Sequence, residues 1–161
     1  MNTSLPLLYT NAASPEFLHS LDKQTLTDEQ IASCTEEPLA VIQKNEAYKA
    51  AHPPIGIYRA ASEGSQSRDG GVIAQASSPL SCNLDDGQTL RIARKGDHVT
   101  YPDGRTAQII TGAGQANSDL ALVGSRLSNG DEIINTLNEG FLFVAREGVS
   151  MAADFLPDVN A

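Results

Sequence analysis

The 161-residue chain contains no tryptophan, and phenylalanine and tyrosine alone supply its aromatic content of 5%. Proteins that stack bases or sugar rings depend on aromatic faces, so that kind of recognition is not expected. Cations are scarce too: 11 Lys and Arg stand against 20 Asp and Glu, a net charge of −9. A surface of that sign repels phosphate backbones and anionic bilayers, which argues against nucleic acid as a partner. No stretch reaches the roughly 20 apolar residues of a membrane-spanning helix, so stable membrane insertion is not expected. The amino-terminal MNTSLPLLYTNAASPEF lacks the basic start and apolar run of a signal peptide, and a cytoplasmic origin is the expectation. Cys34 and Cys82 are the only cysteines. Their spacing does not argue for a disulfide, and isolated cysteines usually behave as small hydrophobes.

Turn formers are plentiful. Thirteen glycines and eight prolines favour a turn-rich fold over a long-helix bundle. Residues 1–55 carry helical signals. Ser14-Pro15-Glu16 reads as an N-cap, a first-turn proline and an acid suited to the helix dipole, ahead of Phe17, Leu18 and Leu21. Thr27 and Gln30 offer a capping box before Ile31. Thr35-Glu36-Glu37-Pro38 opens a third helix with Leu39, Ile42, Ala47 and Tyr48, which His52-Pro53-Pro54 ends. From residue 56 the texture changes to short β-branched runs, among them Ile55-Gly56-Ile57-Tyr58, Val72-Ile73, Leu90-Arg91-Ile92, Ile109-Ile110 and Ile133-Ile134. Asp69-Gly70-Gly71, Asp85-Asp86-Gly87, Pro102-Asp103-Gly104 and Ser128-Asn129-Gly130 punctuate them, the signature of hairpins. The tail from Met151 is expected to pack through Phe155-Leu156.

The β region repeats itself. Ala93 and Ala121, like Gly96 and Gly124, are 28 residues apart; the turn glycines Gly104 and Gly130 are 26 apart, and the double isoleucines at 109 and 133 are 24 apart. A weaker third copy ends in Gly70-Gly71-Val72-Ile73, with Ser65-Gln66-Ser67-Arg68 taken as its altered start. The expected arms are 65–80, 93–112 and 121–137. One short β arm cannot bury its apolar face alone, but three can close on one another without leaving a long edge. The fold expected is mainly β: a small three-armed conical body of hairpin repeats over 56–150, with a helical amino-terminal extension, 1–55, and a tail, 151–161.

Arg91-Ile92-Ala93-Arg94-Lys95-Gly96-Asp97 sits in the frame Pro-Ala-Ala-Arg-x-Gly-Asp, and Leu120-Ala121-Leu122-Val123-Gly124-Ser125 is a looser second match. Tyr101-Pro102-Asp103-Gly104 with Ile109-Ile110-Thr111-Gly112, then Ser128-Asn129-Gly130-Asp131 with Ile133-Ile134, follow in order. Over about residues 60–145 the chain thus resembles the PAAR-repeat proteins that cap the spike of type VI secretion and related contractile injection machines. The resemblance implies a tip, one copy per trimer, on a spike protein of the VgrG type. Such a tip aids membrane puncture and effector delivery, catalyses nothing, and leaves the cell with the machine. It also implies that residues 1–55 bind an effector or adaptor. Many relatives hold an apical zinc through three His and one Cys. Here Asp69 precedes Gly70-Gly71, Tyr101 precedes Pro102, Asn129 occupies the last arm, and His98 alone lies near a ligand position. A structural zinc takes four ligands, so the site reads as incomplete.

Two other readings stay open. A small acidic β module, an immunity or adaptor protein, would bind a basic partner through its charge. A small hydrolase would need a cleft with a perturbed titratable group. There is no Gly-x-Ser-x-Gly elbow, and Gly112-Ala113-Gly114 follows a β segment without opening a helix in the dinucleotide-loop pattern. Asp85-Asp86 and Asp131-Glu132 read as solvated turn acids before they read as calcium ligands.

Overall fold

The computed structural model describes residues 8–22, 36–84 and 87–157. It is a small, mainly β structure, as the sequence leads one to expect. Its elements run α1 (Pro15–Ser20), α2 (Glu36–Ala51), β1 (Pro54–Arg59), β2 (Ser81–Asn83), β3 (Thr89–Arg91), β4 (His98–Thr100), β5 (Thr106–Gln108), a 3₁₀ turn (Gln115–Asn117) and β6 (Leu142–Arg146). The pairs β1–β6, β2–β3 and β4–β5 form three two-stranded sheets, and the last two are antiparallel.

The described residues divide into two compact units. One draws on 8–12, 58–84, 87–143 and 151–157, the other on 13–22, 36–57 and 144–150. This division cuts across the segments 1–55, 56–150 and 151–161. Tyr9 exchanges backbone hydrogen bonds with Thr136 at 2.8 and 2.9 Å, and Asn11 bonds the backbone of Arg59 and Val123 at 2.7 Å. The first described residues therefore belong to the β body. So does Phe155, which is buried beside Leu120 and Leu122, where the tail was expected to pack.

Three arms of the same bonding pattern build the β body. Each starts at a glycine of positive φ: Gly64 at 90°, Gly96 at 100° and Gly124 at 105°, a region open to glycine at little cost. The N–H of each glycine donates to the carbonyl of Ile73, Ile109 or Ile133, at 2.8, 2.9 and 2.8 Å. Each isoleucine N–H returns to the residue after the glycine, Ser65, Asp97 or Ser125. The side chains of those three residues accept from the backbone N–H of Ser62, Arg94 and Leu122.

The arms are joined where an alanine precedes each glycine by three residues. Ala61 N–H donates to Ala121, Ala121 to Ala93 and Ala93 to Ala61, at 2.8, 2.9 and 2.9 Å. These three bonds form a closed ring, and all three alanines are fully buried. On one side lies a cluster holding Ile73, Val99, Ile109, Leu127 and Ile133. The residues just before the alanines, Ala60, Ile92 and Leu120, belong to a second cluster with Leu122, Ala113 and Phe155. Tyr58 and Phe143 stand edge-on to Phe155 at 4.9 and 6.1 Å. Higher up, the bridges Val72–Thr100, Ile109–Leu127 and Ser67–Ile133 stitch arm one to two, two to three and three to one.

Arm one differs from its sequence reading. Its start is Ala60-Ala61-Ser62-Glu63-Gly64, not Ser65 to Arg68, which already form its outgoing strand. Arms one and three are the same length from glycine to isoleucine, whereas arm two holds four more residues. The extra length makes β4 and β5, in which Val99 and Ala107 are buried between exposed neighbours.

In the second unit Ser14 caps α1 as expected, its hydroxyl accepting from Phe17 N–H at 3.1 Å. α2 ends at Ala51, just before His52 and the prolines. The capping box at Thr27 and Gln30, Cys34 and the Asp85-Asp86 turn fall outside the described residues. Arg146 ties this unit together. It grips Asp22 through both guanidinium nitrogens, at 2.9 and 2.6 Å, and donates to the carbonyl of His52 at 2.9 Å. That contact holds the Asp22 carboxyl below its ordinary value of 3.8.

Candidate functional site

The three arms end in turns of the same form. The N–H of Ser67, Tyr101 and Leu127 donates to the carbonyl of Gly71, Arg105 and Asp131 respectively, four residues on. The turns are brought together at Asp131, which is 2% exposed. The Tyr101 hydroxyl donates to its Oδ2 at 2.6 Å. Glu132 N–H donates to Oδ1 at 2.7 Å. Asp69 N–H reaches both oxygens, at 3.2 and 3.4 Å. The Asn129 side chain closes the cluster: its Nδ2 donates to the Tyr101 oxygen at 2.9 Å and its Oδ1 accepts from Asp131 N–H at 3.0 Å. Around the rim, Glu132 pairs with Arg68 at 3.1 Å and Arg126 at 3.9 Å.

Burial alone would raise the pKa of Asp131. The Ser67 and Tyr101 hydroxyls and the two N–H groups outweigh it and hold the carboxyl below 3.8. Burial pushes the Tyr101 phenol up, and the bond to Asp131 adds to that. Asp131, expected to be a solvated turn acid, is instead buried where the three turns meet. An aspartate directly after Asn-Gly looks the same in sequence whether it faces water or the other arms, so only the register of the repeat could have revealed it.

Depressed acid groups fix a pH dependence. The folded pKa of Asp131 and Asp22 lies below the ordinary 3.8, so both contribute stability above about pH 4. That contribution is lost as pH falls through their depressed values. Melting temperature, followed by circular dichroism, should be flat from pH 7 to about 5 and decline below about 4. A maximum near pH 4 would contradict ionised, bonded carboxylates.

His98 lies elsewhere. It stands on β4, exposed between the buried Asp97 and Val99, so the alternation of a strand points it outward. Gln66 and Arg126 occupy the matching positions in the other arms, two residues after the arm glycine. Asp97 itself is held by the Ser77 hydroxyl at 2.6 Å and Ser77 N–H at 3.1 Å. Among the described residues no three His, Cys, Asp or Glu side chains come together as a metal site would need. The groups around Asp131 do not suit zinc. A carboxylate offers about four lone-pair positions, and those of Asp131 already face three donors from protein groups. Cys82 is a free, half-buried thiol on β2, its pKa raised by burial. His19 is exposed on α1, and the His52 Nδ1 lies 2.8 Å from the Glu147 carbonyl. Among the described residues no helix is long and apolar enough to cross a membrane.

No protein-family model matches the chain, and neither a curated protein nor a solved structure matches it.

Proposed function

We propose that this protein is a PAAR-like tip that caps the trimeric, VgrG-type spike of a contractile injection machine. The observation that carries the reading is the ring of Ala61, Ala93 and Ala121, bonded head to tail. It gives one polypeptide a backbone with approximate threefold repetition. A body of that kind can meet the end of a true trimer in three near-equivalent ways at once, which a singly folded domain cannot. Ala93, Gly96, Ala121 and Gly124 lie in the two stretches where the sequence resembles the family motif. The apex is built of short turns and one dense hydrogen-bond cluster, suited to bearing load. The role is mechanical, with no reaction catalysed. In this reading the helical unit docks an effector or adaptor, and the protein travels out with the machine. Tyr9 and Asn11 are bonded into the β body, so a truncation that probes the helical unit should spare residues 8–12.

The test is native mass spectrometry of the chain mixed with the trimeric spike protein encoded nearest to it. One copy per trimer is expected. Absence of a complex at micromolar concentration would remove the reading. Salt-sensitive 1:1 binding to a cationic protein would instead favour the acidic binding module.

A further inference from the structure

We propose that Asp131 is the closing hub of the three arms, doing with one buried carboxylate what a bound metal ion would do at such an apex. The inference rests on the geometry of the β body and stands apart from the spike-tip reading. Every arm sends a donor to this one side chain. Arm one contributes Asp69 N–H, arm two the Tyr101 hydroxyl, and arm three Glu132 N–H. All of these groups donate, and none needs to accept from Asp131, so the site is matched to an ionised carboxylate. An amide at this position would turn an NH₂ group toward donors. Charge-assisted bonds to a group this buried are among the stronger ones in proteins.

A metal serves such an apex by drawing ligands from several segments to one point. Here the signs are reversed: the centre is the anion, and the arms bring the hydrogens. Asn129 reinforces it by bonding both the Tyr101 oxygen and Asp131 N–H. Among the described residues no buried side-chain nitrogen or oxygen is left without a partner, so the cluster is complete as it stands.

The experiment uses the full chain, purified from zinc-supplemented medium. Metal content is measured, thermal unfolding is followed with and without EDTA, and amide exchange is compared between wild type, Asp131→Asn and Tyr101→Phe. Less than about 0.1 zinc per chain and a melting temperature unmoved by EDTA are expected. Asp131→Asn should lower the melting temperature by roughly 5–10 °C. It should also speed exchange at Asp69 and Glu132 about tenfold while the Ala61, Ala93 and Ala121 amides stay protected. Tyr101→Phe should give a smaller change of the same kind, and it carries the test if Asp131→Asn does not fold. One zinc per chain, or a melting temperature lowered by EDTA, would overturn the proposal. So would unchanged exchange at Asp69 and Glu132 in whichever of the two variants folds.

Discussion

Ala93→Leu should lower the melting temperature of the β body by about 8–16 °C. Ala93 is fully buried, and both its backbone groups serve the ring, donating to Ala61 and accepting from Ala121 at 2.9 Å. Three added carbons must enter a space bounded by two other strands. Overpacking of a filled core costs about 1–3 kcal/mol when neighbours can yield. Here the side chain belongs to the cluster of Ile73, Val99 and Ile109 while its backbone is bonded on both sides, so yielding also weakens ring bonds worth about 0.5–1.5 kcal/mol each. A sum near 4 kcal/mol corresponds to about 8–16 °C for a chain of this size. Ala74→Leu, at an exposed position past the end of arm one, is the control and should change the midpoint little. If the two substitutions behave alike, the ring is not close-packed and the threefold core is wrongly drawn.

Arg146→Ala should undo the helical unit while the β body persists. No described side chain of α2 is fully buried along its 16 residues, and isolated helices of that length are marginal in water. The unit therefore leans on its tertiary ties. Arg146 supplies three: two to Asp22 and one to the His52 carbonyl. The paired side chains are each 18% exposed, so removing one partner should cost about 2–4 kcal/mol, below the fully buried case. Ellipticity at 222 nm should fall by a large part of what α1 and α2 contribute. Asp22→Ala should do nearly the same, and the double variant little more, because the two residues act as one interaction. Unchanged ellipticity in Arg146→Ala would show that other contacts hold the helices.

Arms two and three were legible in the sequence because both keep Ala-x-x-Gly and a double isoleucine. Arm one was harder. Its turn, Asp69-Gly70-Gly71, stands out, but the arm's pivot is Gly64, one residue before the expected start at Ser65. Matching Arg59-Ala60-Ala61-Ser62-Glu63-Gly64-Ser65 to Arg91-Ile92-Ala93-Arg94-Lys95-Gly96-Asp97 finds the arm at once, since Arg, Ala and Gly coincide. Local signals also drew α1 and α2 well, because caps and prolines act within a few residues. The assignment of Tyr9 and Asn11 to the β body was not readable, because it depends on partners more than 40 residues away. His98 near a ligand position was a matter of motif spacing, whereas the alternation of β4 decides which way the ring points.

The unequal arms also bear on how charge can be placed within a symmetric frame. A trimer of identical chains must set three copies of any residue around its axis, and three carboxylates there would repel one another. Here the positions matching Asp131 are Gly71 and Arg105, as the turn bonds of the three arms show. A Cβ at Gly71 would lie 2.8 Å from both the Ser67 hydroxyl oxygen and Val99 Cγ2, so the glycine leaves room for its neighbours' side chains. Arg105 turns away to Asp103, 2.6 Å from its Oδ2. Having fused three arms into one chain, the protein can give a single arm the acid and fit the others to it, a distribution of unlike roles that exact symmetry forbids.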